Sequence, residues 1–303
     1  MIHVAVLGSA AGGGFPQWNC GCLNCAGLRQ GTIKAVPRTQ ECLALTGDND
    51  RWILINASPD IRQQIETFRP LRPQSLRDSP IAAVILTNGD LDHCLGLFSL
   101  REWHRMTVYA TQQVWHGLMS QNVFFRTLQR FPGQLQWRDL TPGLTQRLDS
   151  DGGELWITAF SCPGKVPLHL EGLQASHPED NIGVRIFDCS ERTLVYAPSA
   201  RDVTPELYAQ FQGAQCLFFD GTFWSEHELA GLGIAAQTAA DMGHLPIGGD
   251  AGSLAMLTDL DVPRRIYIHI NNTNPLLRAD SPERGLAESA GWEVAHDGLE
   301  LTL

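Results

Sequence analysis

The segment Asn19-Cys20-Gly21-Cys22-Leu23-Asn24-Cys25 packs three thiols into six residues. Spaced by Gly and Asn in a polar loop, three thiolates can wrap one tetrahedral ion. The segment therefore reads as a structural zinc knot rather than as three buried free thiols. Asp92-His93 offers a carboxylate oxygen and an imidazole nitrogen from adjacent residues. From a turn both can face one ion; the alternative is a capping Asp beside a polar His. His269, within Ile266-Tyr-Ile-His-Ile270, is either a hydrogen-bonded core histidine or a third ligand. His244, in Met242-Gly-His-Leu-Pro246, is either a surface loop residue or an acid/base group, since His titrates near neutrality. Asp220, closing Phe218-Phe-Asp-Gly-Thr222, is either a support behind a metal ligand or a turn residue.

These residues need elements to carry them. His3–Leu7, Cys42–Leu45, Trp52–Asn56, Ile81–Leu86 and Val108–Ala110 read as strands. So do Trp156–Phe160, Ile182–Phe187, Thr193–Ala197, Cys216–Phe219 and Ile266–Ile270, with a closing strand pair over Trp292–Thr302. Asp60–Phe68, Leu95–Trp103, Thr111–Leu128, Thr204–Phe211, Gly248–Leu257 and Leu286–Ala290 read as helices. Ser9–Gly14 reads as a tight glycine-rich turn near the rim, without dinucleotide or P-loop spacing. Two similar halves, strands before helices, predict an α/β fold of two facing sheets with helices outside, an αββα sandwich. Polar residues at strand ends then gather at one rim, where Asp92-His93, Asp220 and His269 all fall.

With 303 residues, 43% of them hydrophobic, the chain can bury a large core. The net charge of −11, with acids scattered, argues against nucleic-acid binding. No run approaches a membrane span and no signal peptide is visible, so a cytoplasmic protein is expected. The scattered cysteines, mostly in apolar surroundings, fit that compartment better than a disulfide framework.

The segment Ile85-Leu-Thr-Asn-Gly-Asp-Leu-Asp-His-Cys-Leu-Gly96 resembles the His-x-His-x-Asp-His motif of the metallo-β-lactamase superfamily, with Asn88 and Asp90 in place of its two leading histidines. The resemblance implies a single domain over 1–303 with the knot at 20–25. It also places the superfamily's last ligating His at His269. Asp92, His93 and His269 then form a two-His, one-carboxylate set, the facial pattern favoured by non-haem Fe(II). The superfamily's bridging Asp has Ser199 at its place, in Tyr196-Ala-Pro-Ser199, and a hydroxyl is a poor bridge. Asp90 could rescue a weak second metal site or take part in catalysis, and His177 aligns with another ligand of the lost site but has few companions there. Related phosphodiesterases close a similar knot with a His where Asn272 stands; Cys42 or water are the other candidates.

Five segments carry a narrower resemblance over the full length. They are Gly8-Ser-Ala-Ala-Gly-Gly-Gly-Phe-Pro-Gln-Trp-Asn-Cys20, Asn56-Ala-Ser-Pro-Asp60, Thr87-Asn-Gly-Asp-Leu-Asp-His93, Gly243-His-Leu-Pro246 and Ile268-His-Ile-Asn-Asn-Thr-Asn-Pro275. In these the chain is similar to the coenzyme PQQ synthesis B family. The resemblance implies a role in making pyrroloquinoline quinone (PQQ) from a Glu–Tyr cross-linked precursor, alongside other PQQ biosynthesis proteins. One implied activity is an Fe(II)-dependent oxygenase that hydroxylates the tyrosine-derived ring, with His244 assisting proton transfer and Asn88, Ser199 and Asp220 in support. A carrier that helps release PQQ toward the periplasm is the alternative, and a metallohydrolase is the superfamily default. Zinc at the active centre as isolated is compatible with an iron enzyme, because Zn often outcompetes Fe(II) at N/O sites.

Overall fold

The apolar runs form strands buried on both faces, which is why they read as continuous rather than alternating. The structure, a computed structural model, describes residues 1–102, 104–148 and 154–303. Among these, the first sheet contains β1 (His3–Gly8), β2 (Cys42–Thr46), β3 (Trp52–Ile55), β4 (Ile81–Ile85), β5 (Met106–Ala110) and β6 (Leu135–Asp139). The second contains β7 (Thr145–Arg147), β8 (Leu155–Ser161), β9 (Ile182–Asp188), β10 (Thr193–Ala197), β11 (Cys216–Asp220), β12 (Arg264–Ile268) and β13 (Trp292–Val294). The last strand, β14 (Glu300–Thr302), returns to the first sheet beside β1. The orders are β14-β1-β2-β3-β4-β5-β6 and β13-β12-β11-β10-β9-β8-β7. Pairing is parallel from β3 to β6 and from β10 to β13, and antiparallel elsewhere.

Alternate residues of each strand feed different layers. Val4 and Val6 join Ile55, Ile85, Ile157, Val184 and Phe218 between the sheets. Ala5 and Leu7 face outward, where Val114 and Leu118 of helix Gln112–Ser120 cover the first sheet. Leu207 and Phe211 of helix Pro205–Phe211 cover Val195, Leu217 and Phe219 on the second. Thr111 and Thr204 start these helices by accepting from Val114 N and Leu207 N. The result is the expected αββα sandwich.

Several elements differ from the sequence reading. Trp292–Thr302 is not a strand pair, because β13 and β14 close opposite sheets. The polar edge strands β6 and β7 have no apolar run to announce them. The helix expected over Thr111–Leu128 breaks after Ser120 and restarts as a 3-10 segment, Val123–Gln129, capped by Asn122. That expected over Gly248–Leu257 shrinks to Ser253–Met256, after Gly249 takes φ 87°.

The segment expected as helix Leu95–Trp103 is instead a helical turn, Leu91–Cys94, followed by a 3-10 turn, Leu95–Phe98; Trp103 lies outside the described residues. The cause is close packing. Gly96 N donates to Ala57 O, and a Cβ at Gly96 would stand 2.2 Å from Ser58 O. Because that neighbour is backbone, Gly96→Ala should destabilise the protein by about 3 kcal/mol, the upper end for overpacking. It should also loosen the turn carrying His93. Urea unfolding with an unchanged m-value would measure it.

Candidate metal centre

Strand ends of both sheets converge on one rim. The chain leaves β4 through Thr87–Asp90 into the turn that carries Asp92 and His93. His269 follows β12, which ends at Ile268 rather than running through Ile270. His269 has φ 59°, a left-handed conformation that breaks strand alternation and turns its ring toward the rim. The three side chains meet: Asp92 Oδ2 lies 3.2 Å from His269 Nε2, His93 Nε2 lies 3.3 Å from His269 Nε2, and His93 Nε2 lies 3.6 Å from Asp92 Oδ2. Donors about 2.0–2.2 Å from one ion stand about 2.8–3.6 Å apart, so the spacing and chemistry of this set fit a single divalent cation.

Each imidazole is held from behind. The Thr222 hydroxyl lies 2.7 Å from Asp220 Oδ1 and 2.8 Å from His269 Nδ1. An ionised carboxylate only accepts, so Thr222 donates to Asp220 and accepts from His269 Nδ1–H. This leaves Nε2 directed at the centre. His93 Nδ1 lies 3.2 Å from Thr87 Oγ1 and 3.5 Å from Glu41 Oε2. Burial pushes His93 down to about 4, despite the opposing pull of Asp92, so it is neutral and ready to ligate. Burial alone would raise Asp92, yet His93 and His269 hold it well below the usual carboxylate range. Burial lowers His269, but Asp92, Glu41 and Asp220 outweigh it and bring it up to about 8. A cation held by these three residues would take the place of the proton on His269 Nε2.

His244 and Asp220 form a second constellation with His269. His244 Nδ1 lies 2.8 Å from Asp220 Oδ2. Both Asp220 oxygens are taken, by Ala200 N, Thr222 N, Thr222 Oγ1 and His244 Nδ1. This cluster is thus a hydrogen-bonded dyad rather than a second ion site. Asp220 is fully buried, which alone would raise it, but His244 keeps it lowered and ionised. His244 faces a pocket of about 470 Å³, lined also by Asn88, Asp90, Asp92, His93, Ser199 and His269. Gly12 of the glycine-rich turn abuts Asp92, as a rim position requires.

The remaining site candidates have other ties. Asn88 Oδ1 accepts from Asp90 N, and Asn88 Nδ2 donates to Asn181. Asp90 Oδ1 accepts from Leu168 N, and its other oxygen lies 3.9 Å from Lys165 Nζ. Among the described residues neither joins a group of three metal-ligating side chains. His177 lines a neighbouring cleft instead. The sequence reading missed Glu41, Thr87, Thr222 and Lys165. Thr87 and Thr222 do share a signal, a hydroxyl residue just past a strand leading into the site.

At the knot, Cys20, Cys22 and Cys25 bring their sulfurs within 4.8 Å of one another, which suits one tetrahedral ion. Asn272 Nδ2 lies 3.3 Å from Cys25 Sγ and 3.8 Å from Cys22 Sγ. Cys42 does not reach them; its thiol donates to Asn56 O from within β2. Of the two residue candidates, Asn272 is thus the one at the knot.

Residues 51–270 match the model of the β-lactamase superfamily domain. Coenzyme PQQ synthesis protein B of Methylorubrum extorquens (strain PA1) is 43% identical, and the match spans 100% of both chains. That of Azotobacter vinelandii is 42% identical over the same full share of both. The structure of Zn(2+)-bound PqqB from Methylobacterium extorquens superposes with a TM-score of 0.93 at 43% identity, covering 99% of this chain and 100% of that one. A diphosphatase of the PhnP family shares the fold at 20% identity, with a TM-score of 0.67 over 99% of this chain and 96% of that one. By full-length sequence and by fold, the chain belongs to the coenzyme PQQ synthesis protein B family within the β-lactamase superfamily.

Proposed function

We propose that this protein acts in PQQ biosynthesis as an Fe(II)-dependent oxygenase that hydroxylates the tyrosine-derived ring of the Glu–Tyr cross-linked precursor, in the cytoplasm. The observation that carries this reading is the ligand set. Two imidazoles and one carboxylate converge on one point, while Asn88 and Asp90 are engaged elsewhere. A dinuclear hydrolase needs donors at those two places; a facial iron site does not. Zinc in the Methylobacterium relative is compatible with it, since zinc displaces Fe(II) at such donors.

Asp92, His93 and His269 would hold the ion, and Fe(II) supplies the one-electron chemistry with dioxygen that closed-shell zinc lacks. The chain's own residues do the rest. Phe223, Leu168 and Met242 give the pocket an apolar wall for an aromatic ring. His244, its Nδ1 held by Asp220, is left with Nε2 to take and return a substrate proton. Lys165 puts a cation in the same wall, suited to a substrate carboxylate.

The test loads protein anaerobically with Fe(II) or Zn(II), then adds precursor or a tyrosine analogue, oxygen, and a two-electron reductant such as ascorbate, which carries the second oxygen atom to water. Oxygen uptake with ring hydroxylation in the iron form alone is the expected result. Equal turnover with zinc and no oxygen uptake would mean hydrolysis. Tight PQQ binding without turnover in either form would mean a carrier. His244→Ala should lower turnover about 10²-fold at unchanged iron content, the usual scale for losing a general acid/base.

A further inference from the structure

Beside the metal chamber lies a larger cleft, of about 740 Å³, which the chemistry above leaves unused. Lys165 and Asn181 line both cavities, so they belong to the wall the two share. The cleft holds a second cation, Arg201, beside the apolar Phe160 and Leu207. The segments bearing the two cations are tied to each other and to the site. Arg201 N donates to Pro163 O, two residues before Lys165. Ala200 N donates to Asp220 Oδ2, and Ala200 O accepts from Leu245 N, so the residue before Arg201 is fixed to the His244–Asp220 dyad. Gly243, at φ 86°, makes room for the Lys165 stem: a Cβ there would stand 3.1 Å from Lys165 Cγ.

Neither cation is committed to a protein partner. Among the described residues the Arg201 guanidinium makes no hydrogen bond and no ion pair, although its charge reaches Asp241. Lys165 Nζ lies 3.6 Å from Glu171 and 3.9 Å from Asp90, beyond hydrogen-bond reach. The acids of the cleft itself are occupied. Asp180 Oδ2 accepts from His177 N, and Glu206 accepts from its own N–H and from the Thr204 hydroxyl. Two positive charges, one in the shared wall and one beyond it, are thus open to an anionic ligand that spans both cavities.

We infer that this cleft is a second substrate subsite: with the ring at the metal, the rest of the molecule passes Lys165, which takes one carboxylate, and enters the cleft, where Arg201 takes another. The class selected is a phenolic amino-acid adduct with at least two carboxylates. A lone aromatic amino acid fills only the inner chamber and brings one carboxylate with an ammonium that both cations repel. Arg suits the outer position because its planar fork can hold a carboxylate through two parallel bonds. The inference deepens the precursor reading above and rests on it.

The test is calorimetric binding to the Zn(II)-loaded protein without oxygen, so that no turnover enters. The probes are the Glu–Tyr cross-linked precursor and tyrosine. Arg201→Gln should cut the preference for precursor over tyrosine by about 10-fold, the lower end for a hydrogen bond to a charged group, because the cleft is open to water. Arg201→Lys, which keeps the charge, should recover part of that preference. Glutarate should compete with the precursor in wild type and lose that effect in Arg201→Gln. The same preference in wild type and Arg201→Gln overturns the inference. Inorganic phosphate competing better than glutarate overturns it too, because the cleft would then be a phosphate site. A wild-type protein that binds tyrosine but not the precursor overturns the precursor reading itself, so the two failures are distinguishable.

Discussion

His269→Ala should leave the protein folded, with the knot ion retained, the second ion lost and turnover lowered by at least ~10³-fold. His269 lies within 3.3 Å of both other ligands and also anchors the Thr222–Asp220–His244 cluster. Removing a ligand costs more than removing its support, for which about 10–100-fold in metal affinity is typical. Two remaining donors, Asp92 and His93, do not hold a labile dication against dilution. The backbone has independent ties: Gly221 N donates to Ile268 O, Ile270 N to Ser9 O and Ala11 N to Ile270 O. The fold should therefore survive the truncation, apart from a cavity cost. Metal analysis after gel filtration, with circular dichroism as the folding control, checks this. Two ions per chain in the variant would mean that His269 is a core histidine after all.

How much of this was legible before the structure depends on distance along the chain. The three cysteines and the Asp92-His93 pair are local, so spacing alone exposes their chemistry. His269 shows no local signal. Its strand is apolar, and what turns its ring to the site is a backbone φ that residue types do not announce. Glu41 is still harder to read. It precedes β2 as an ordinary acid in a polar stretch, and only the pairing of β1, β2 and β3 buries it against His93. The sandwich itself was readable because strands covered on both faces are apolar throughout. The edge strands β6 and β7 were not, because one side of each faces no partner. Helix lengths failed where glycines approach backbone, as at Gly96, since a close approach depends on a neighbour remote in sequence.

Cys22→Ser should release the knot ion and destabilise the chain by about 4–5 kcal/mol, the range reached when a single substitution removes a structural metal. At roughly 2–4 °C per kcal/mol, the melting temperature should fall by about 8–20 °C. Cys22 is the N-cap of helix Leu23–Gln30, its sulfur accepting from Cys25 N at 3.5 Å. Serine is a better cap than cysteine, so the substitution spares the helix start and isolates the lost ligand. The effect should not stop at the helix. Asn24 donates to Asn272 O and Asn274 O, and Asn272 reaches Cys25 Sγ, so the knot clamps the segment that follows His269. The active centre should keep its own ion, because its three ligands are intact, with turnover reduced far less than in His269→Ala. Burial pushes the Cys22 thiol up to about 11. Zinc must displace that proton, so acid competes with the ion and the stability gap between wild type and variant should narrow as pH falls. Thermal melts across pH, paired with metal analysis, measure both. A variant with undiminished zinc and unchanged melting would show that the loop holds no metal.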